Sequence, residues 1–445
     1  MHAAAPPLPA PGGFAGLLSR PAFLAAWCAV AAFGTYASMY GFRKPFTAGL
    51  YVEAPFGPGF KTWLVTSQVL GYTVSKIIGI RVIAEMPPGR RIATLLGLIG
   101  VAQLALVLFG LLPAPWNVAC LFLNGLPLGM VFGLVLGFLE GRRMTEAFVA
   151  GLCASFILAD GLSKSVGAAL LAGGVPERWM PAAAGLLFLT PLAGFAWMLG
   201  KIPRPTAEDV AARSERTPIN RADRRALLRR HGPGLLLITL AYTLITVLRS
   251  IRADFAPELW AALGTTGQPG VFTRSEMWVA LAVVAVNALA VGVRDNRAAF
   301  LLSLGISAGG LLLIPAAILL RQSGSLGAFA FMVLLGIGLY LPYVAVHTTV
   351  FERLIALTRD RANLGYLMYV ADAAGYLGYV AVMAARNVLK AQAEFLPFFL
   401  TASWVVVIVA AGAFVAAAAL LGRRAPRTPA EMRPAAEAPE QPQRS

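Results

Sequence analysis

Charge is what this sequence is shortest of. Only 13% of its 445 residues are Asp, Glu, Lys or Arg, where an ordinary soluble domain carries about a quarter, so there is too little polar surface to dissolve a globule of this length. Acids are the scarcer sign, 21 Asp and Glu against 37 Lys and Arg, giving a formal charge of +16. Cysteine is nearly absent. Cys28, Cys120 and Cys153 are odd in number, far apart and set in apolar segments, which excludes a disulfide framework and a cysteine metal cluster. The first twenty residues are rich in Ala, Pro and Gly with a single late Arg. They lack the basic start and cleavage pattern of a signal peptide, so the first apolar segment is expected to stay. Also missing are His-Glu-x-x-His, Ser-x-x-Lys and the phosphate-binding Gly-x-x-x-x-Gly-Lys-Ser/Thr, so neither metal-dependent peptide cleavage nor ATP hydrolysis has a visible apparatus. No enzyme, cofactor or metal site is expected.

What is abundant is apolar sequence, 58% of the chain with a mean hydropathy of +0.71. A helix needs roughly 20 apolar residues to cross a bilayer. Runs of that length lie near 21–46, 60–84, 92–112, 116–139, 145–172, 179–200, 233–256, 274–293, 297–320, 325–351, 362–387 and 393–422. They predict an all-α membrane protein of twelve transmembrane helices in two pseudo-symmetric six-helix bundles, over 21–200 and 233–422. A basic linker over 201–232 joins them, and the tails over 1–20 and 423–445 are expected outside, the second one disordered. With both termini in the cytoplasm, five basic residues fall in the outer loops (Lys61, Arg178, Arg274, Arg321, Lys390), seven fall within the spans, and the rest of the 37 are cytoplasmic. That is the positive-inside asymmetry. It explains the net charge without nucleic acid and places the chain in a bacterial inner membrane, as an expected monomer. Trp63, Trp116, Trp179, Trp260 and Trp278 cluster at the outer ends, as interfacial anchors do. The halves also echo one another: an Arg ends the first span of each, Arg43 and Arg249, and a Gly-rich helix with an internal Pro comes fourth in each, with Pro127 and Pro342. Parallel six-helix repeats around a central site are a transporter plan.

Seven basic residues lie within or at the edge of the spans: Arg43, Lys44, Lys76, Lys164, Arg249, Arg252 and Arg386. Asp160, Asp254 and Asp372 are the acids that join them. A central cation costs about 3 kcal/mol on insertion scales and normally faces a wet cavity or a partner. Asp160 and Lys164, one turn apart, either pair along their helix or couple transport to protons. Arg252 is near enough to Asp254 for a local contact, and Lys44 and Arg386 can snorkel. Arg43, Lys76 and Arg249 have no sequence-local partner, and a surplus of cations implies an anion. A guanidinium offers a planar fork to two oxygens, which suits phosphate or carboxylate. At 1.5 Å per residue the two arginines fall in the outer half and Lys76 about 20 Å down from the outer face, so one contact shell is not implied. The eleventh span sets Tyr366, Tyr369, Asp372, Tyr376 and Tyr379 on one stripe, read either as helix packing or as a cavity wall. His347 is either a hydrogen-bonded structural residue or a proton carrier.

At these residues the chain resembles the major facilitator superfamily, and within it the organophosphate:phosphate antiporters of the glycerol-3-phosphate and hexose-6-phosphate type. Tyr40-Gly-Phe-Arg-Lys-Pro-Phe46 is similar to the Arg-Lys end of that family's first helix, and Gly71-Tyr-Thr-Val-Ser-Lys-Ile-Ile-Gly79 to its second. Leu248-Arg-Ser-Ile-Arg-Ala-Asp-Phe-Ala-Pro257 resembles its seventh, and Gly375-Tyr-Leu-Gly378 its eleventh. The chain departs from the family in carrying Asp160 and Lys164 where the antiporters have a His, and in the loop Ala84-Glu-Met-Pro-Pro-Gly-Arg-Arg91. The resemblance implies alternating-access transport of a small anion, with phosphate or a proton as coupling ion. Arg43 and Arg249 would bind the anion with help from Lys76, and Tyr40, Lys44, Tyr72, Arg252 and Tyr369 would stand around them. Asp160, Lys164, His347 and Asp372 are the coupling candidates. The competing expectation is a non-transporting membrane sensor of a similar anion with the same fold.

Overall fold

With no water to pair with backbone N–H and C=O groups, a chain this apolar must satisfy them within its own segments, which helices do. The computed structural model describes residues 14–18, 20–52, 59–84, 86–139, 145–203, 221–293, 295–358, 364–388 and 395–422, and among them there is no strand. Twelve long helices run in order: α1 Pro21–Tyr40, α2 Phe60–Ala84, α3 Arg91–Leu111, α4 Asn117–Leu139, α5 Thr145–Ala172, α6 Met180–Gly200, α7 Arg221–Asp254, α8 Val271–Val291, α9 Asn296–Gln322, α10 Ala328–Ala345, α11 Leu364–Val388 and α12 Phe395–Leu421. Ten are long and apolar enough to cross a membrane by length and composition. The other two, α2 and α11, have 25 residues each and carry Lys76 and Asp372. Their polarity is what sets them apart.

Helix contacts repeat with a shift of six. In the first half α1 packs on α5 and α6, α2 on α4, and α3 on α4 and α6; in the second α7 packs on α11 and α12, α8 on α10, and α9 on α10 and α12. The halves meet through α2 against α11 and α5 against α8, pairs that a two-fold rotation exchanges. This is the major facilitator fold, with its two six-helix bundles. Small residues permit the close approach: a Cβ at Gly125 would lie 2.2 Å from the Gln68 carbonyl oxygen, and one at Gly71 2.2 Å from that of Phe122.

The structure moves several expected boundaries. α1 stops at Tyr40 rather than 46: the chain passes through a turn over 41–44, and Pro45, which has no N–H to continue the helix, opens a separate 3₁₀ turn, Pro45–Ala48. α7 starts at Arg221, twelve residues before the apolar run. Its Arg, Ala and Leu are good helix formers, and a search for apolar length does not see them. α10 continues through a π turn, Val346–Val350, into a short helix Phe351–Thr358. Trp63, Trp116 and Trp278 are exposed, but Trp260 is buried, packed on Phe329 rather than anchoring an interface. Lys61, placed in an outer loop by the sequence reading, is a buried residue of α2. Cys28 and Cys120 are buried thiols; the Cys153 side chain, the tail over 423–445 and most of the 201–232 linker lie outside the described residues.

The break after α1 exposes carbonyls inside the bundle, and buried backbone acceptors need donors. Gln68 of α2 donates to the Arg43 carbonyl at 2.9 Å and to Asn124 Oδ1 at 2.7 Å. Asn124 of α4 donates to the Phe42 and Ala102 carbonyls, both at 3.1 Å. This lattice fixes where Arg43 leaves the backbone. Asn124→Leu leaves the Phe42 carbonyl and one Gln68 donor without their partner and takes the second donor from the Ala102 carbonyl. It should lower stability by about 2–4 kcal/mol, seen as a lower melting temperature of the detergent-purified protein. An unchanged melting temperature would show that the break is held some other way.

Candidate functional site

We call the end of the bundle carrying Pro21 and Ala84 the near end and the opposite one the far end. The far end is held by ion pairs between the halves. Lys44, just past α1, pairs with Asp254 at the end of α7 and lies 3.9 Å from Asp160, which Lys164 also binds one turn along α5. Tyr379 donates to the other Asp254 oxygen at 2.8 Å. Lys61 pairs with Glu258 at 2.7 Å and donates to the Thr47 carbonyl at 2.7 Å. On the other seam, Ser165 of α5 meets the Thr273 hydroxyl at 2.7 Å. Two lysines and two aspartates make the central network neutral. Arg252 does not bind Asp254: it reaches Glu276 of α8 at 2.9 Å and the Met332 carbonyl at 2.9 Å. In a helix its side chain and that of a residue two further on point apart, so the cross-helix partner wins. Lys44 does not snorkel either, since Asp254 holds it in the interior. Arg386 lies over the rings of Phe395 and Phe398, at 4.5 and 5.1 Å.

Inward of this network, tyrosine rings from both halves surround three cations, a region we call the chamber. Arg43 sits 3.8 Å from the centre of the Tyr72 ring and 5.6 Å from that of Tyr40. Its counterpart Arg249 lies 4.3 Å from Tyr343 and 5.5 Å from Tyr340. Both are buried, the Nε of each has no hydrogen-bond partner, and neither has a carboxylate partner among the described residues. The acids that might have neutralised them, Asp254 and Glu258, are taken by lysines. Lys76 stands over Tyr376 at 4.8 Å and Tyr72 at 5.4 Å, and pairs across the halves with Asp372. Each of these two lies eight residues from the near end of its helix, about 12 Å at 1.5 Å per residue, so their depths match. Asp372 also accepts from the Tyr242 hydroxyl and lies 3.3 Å from His347 Nε2. Among the described residues three cations thus gather with one paired carboxylate, a local surplus of two positive charges.

The geometry gathers Arg43, Lys76, Arg249, Tyr40, Tyr72, His347 and Asp372 around Tyr376, which packs on Tyr72 at 5.5 Å and feels the charges of Lys76, Asp372, Arg43 and Arg249. Asp160, Lys164 and Lys44 belong to the far-end network, and Arg252 to a pair inside the second half. The side chains of Tyr366 and Tyr369 lie outside the described residues. Sequence reasoning missed Tyr242, Tyr340 and Tyr343. The available signal was Tyr340-Leu-Pro-Tyr343 at the internal proline of α10, with His347 one turn on, its Nδ1 3.1 Å from the Tyr343 carbonyl.

A buried pair deprived of one member strands the other charge. Lys44→Met should destabilise the protein by about 3–5 kcal/mol, and the double variant Lys44→Met/Asp254→Leu should recover most of that loss. Thermal unfolding of the single and double variants decides it, and a double variant no better than the single one would contradict the pairing.

Solved structures that this chain is similar to include transporters. It superposes on a D-xylose–proton symporter with a TM-score of 0.57 at 15% identity, over 87% of this chain and 96% of that one. On a bacterial homologue of the human lysosomal transporter Spinster, inward-facing and unoccupied, the TM-score is 0.55 at 12% identity, over 89% and 96%. On a POT family transporter in complex with 5-aminolevulinic acid it is 0.55 at 12%, over 92% and 98%. At such identities the likeness establishes the fold alone. No curated protein matches the chain. One family profile covers most of the sequence, residues 45–424, and by that match the chain belongs to DUF5690, a family of unknown function.

Proposed function

We propose that this protein is a secondary transporter of a small anionic metabolite, phosphorylated or carboxylated, which moves by alternating closure of the two halves around the tyrosine-walled chamber. The observation that carries the reading is the pair of repeat-related arginines buried with no acid partner among the described residues. A cation–π contact contributes about 0.5–2 kcal/mol, whereas removing a cation from water costs several, so the rings do not balance the burial and an anion does. Two guanidinium forks from opposite halves, with Lys76 beside them, suit an oxyanion with several oxygens. The far-end ion pairs close that side, so solvent and substrate reach the chamber from the near end. By the positive-inside asymmetry of the loops, the near end is the cytoplasmic one. An anion bridging Arg43 and Arg249 draws the halves together, and its release lets the far-end pairs part.

The test is a thermal-shift screen of the purified protein against inorganic phosphate, glycerol phosphate, hexose phosphates and dicarboxylates, since a ligand of the folded state raises stability by mass action. Arg43→Lys and Arg249→Lys keep the charge and lose the fork, so each should weaken binding of the responding anion by about 1.5–3 kcal/mol, more than tenfold. Unaltered affinity in both folded variants would remove the arginines from the site. Uptake of the same anion into vesicles should follow. Binding without uptake would make the protein a sensor.

A further inference from the structure

The one acid of the chamber stands where an incoming anion competes with it. Arg43 and Lys76 flank the same Tyr72 ring, so an anion gripped by Arg43 comes to rest beside the ammonium that now neutralises Asp372. On the other side of Asp372, two acceptors face each other. His347 Nδ1 lies 3.1 Å from the Tyr343 carbonyl, which only accepts, so in the neutral ring the hydrogen sits on Nδ1 and Nε2 carries the lone pair. Nε2 is 3.3 Å from Asp372 Oδ1 and 3.3 Å from the Tyr242 hydroxyl. One hydroxyl hydrogen serves both acceptors, and Tyr242 gives it to Asp372. The π turn Val346–Val350 is what sets His347 at this place on α10, and such turns recur at functional sites.

Resting on the anion reading above, we infer that the anion is bound together with one proton, which the pair Asp372–His347 takes up when the anion draws Lys76 away. Every charged or titratable group packed around Asp372 enters this argument: Lys76 and Tyr72 from α2, Tyr242 from α7, His347 and Tyr343 from α10 and its π turn, and Tyr376 on its own helix, with Arg43 and Arg249 beyond them. Lys76 is the cation paired with the carboxylate. Without it a buried carboxylate is left with a hydroxyl and an imidazole lone pair, an arrangement too costly to stay charged. A proton from water, placed between Nε2 and Oδ1, relieves it. One O–H bond of hydronium breaks and one N–H bond at Nε2, hydrogen-bonded to Oδ1, forms; the reverse transfer returns the proton to water when the anion leaves and Lys76 pairs with Asp372 again. Asp160, the other acid considered from the sequence, has Lys164 and Lys44 on it and lies outside the chamber.

Linkage fixes the sign. If proton and anion favour one another, anion affinity rises as pH falls, by up to tenfold per unit. The probe is sulfate, which stays a dianion from about pH 5.5 to 8.5, so any slope belongs to the protein. Binding to the full-length protein in detergent, by calorimetry in two buffers of different ionisation heat, should show a falling affinity with rising pH and an uptake approaching one proton. Asp372→Asn and His347→Gln, each checked for a cooperative melt, should flatten the slope. If sulfate binding is weakened by Arg249→Lys but is independent of pH in the unmodified protein, this inference falls and the anion reading stands. A slope that survives in both folded variants also overturns it, because the proton then sits elsewhere. No sulfate binding at any pH, or binding indifferent to Arg249→Lys, overturns the anion reading and this inference with it.

Discussion

A cation taken out of water inside a helix bundle has to be met by something, and what meets each cation organises this protein. Lys44, Lys61, Lys164 and Arg252 are met by Asp254, Glu258, Asp160 and Glu276, and these four make structure: two tie the halves together, and two lie within a half. Among the described residues Arg43 and Arg249 are met by ring faces, with one long hydrogen bond from Arg249 to the Ser250 hydroxyl at 3.4 Å. The quadrupole of a tyrosine ring attracts a guanidinium weakly and without hydrogen-bond direction, so it can hold a cation in place without using up its five donors. Lys76 stands between the two groups. It has an acid, but one reached across the seam between the halves, with rings on either side of it.

The two arginines reach the chamber by different backbones although they descend from related positions. Arg249 leaves a continuous helix five residues before its end. Arg43 leaves a turn, after α1 has stopped, and needs the amides of Gln68 and Asn124 to satisfy the carbonyls which the turn uncovers. The repeat therefore supplies the pairing of charges, and local hydrogen bonding supplies the aim. Irregular backbone at this depth is tolerated only where side chains or a cavity provide for it.

Most of the architecture was legible in the amino-acid order because apolar length sets a helix count. Even α2 and α11, less apolar than the others, were long enough to be recognised. The symmetric placing of Arg43 and Arg249 was legible too, and so was the one-turn pair of Asp160 with Lys164. What lies between helices was not. Lys76 and Asp372 are separated by 296 positions, and nothing in either local pattern says that their helices touch at equal depth. The same holds for Arg252, whose nearest acid in sequence lost to Glu276 on a neighbouring helix, and for Tyr242, which looks like one more aromatic residue until the π turn brings His347 to it. Trp260 and Lys61 misled for the converse reason, since both sit at a predicted far end yet are buried, Lys61 against Glu258 of the short helix Ala256–Ala262 and Trp260, a residue of that helix, against Phe329.

The glycines of α2 and α4 have a mechanical meaning. Where a Cβ at Gly71 or Gly125 would overlap the facing main chain, the two helices touch backbone to backbone, and neither can slide without lifting the other. The second half has a looser analogue, in which a Cβ at Gly336 of α10 would meet Val279 of α8 and the guanidinium of Arg252. Shear inside a bundle is thus blocked, and any large displacement has to be carried by the seams of α2 with α11 and α5 with α8. The α5–α8 seam has a close backbone approach of its own, since a Cβ at Gly161 would lie 2.6 Å from the Phe272 carbonyl oxygen, so it resists sliding but can open. The polar contacts that cross the seams, Ser165 with Thr273 and Lys76 with Asp372, can be solvated by water as they separate. The molecule is in effect two stiff blocks with a wettable joint.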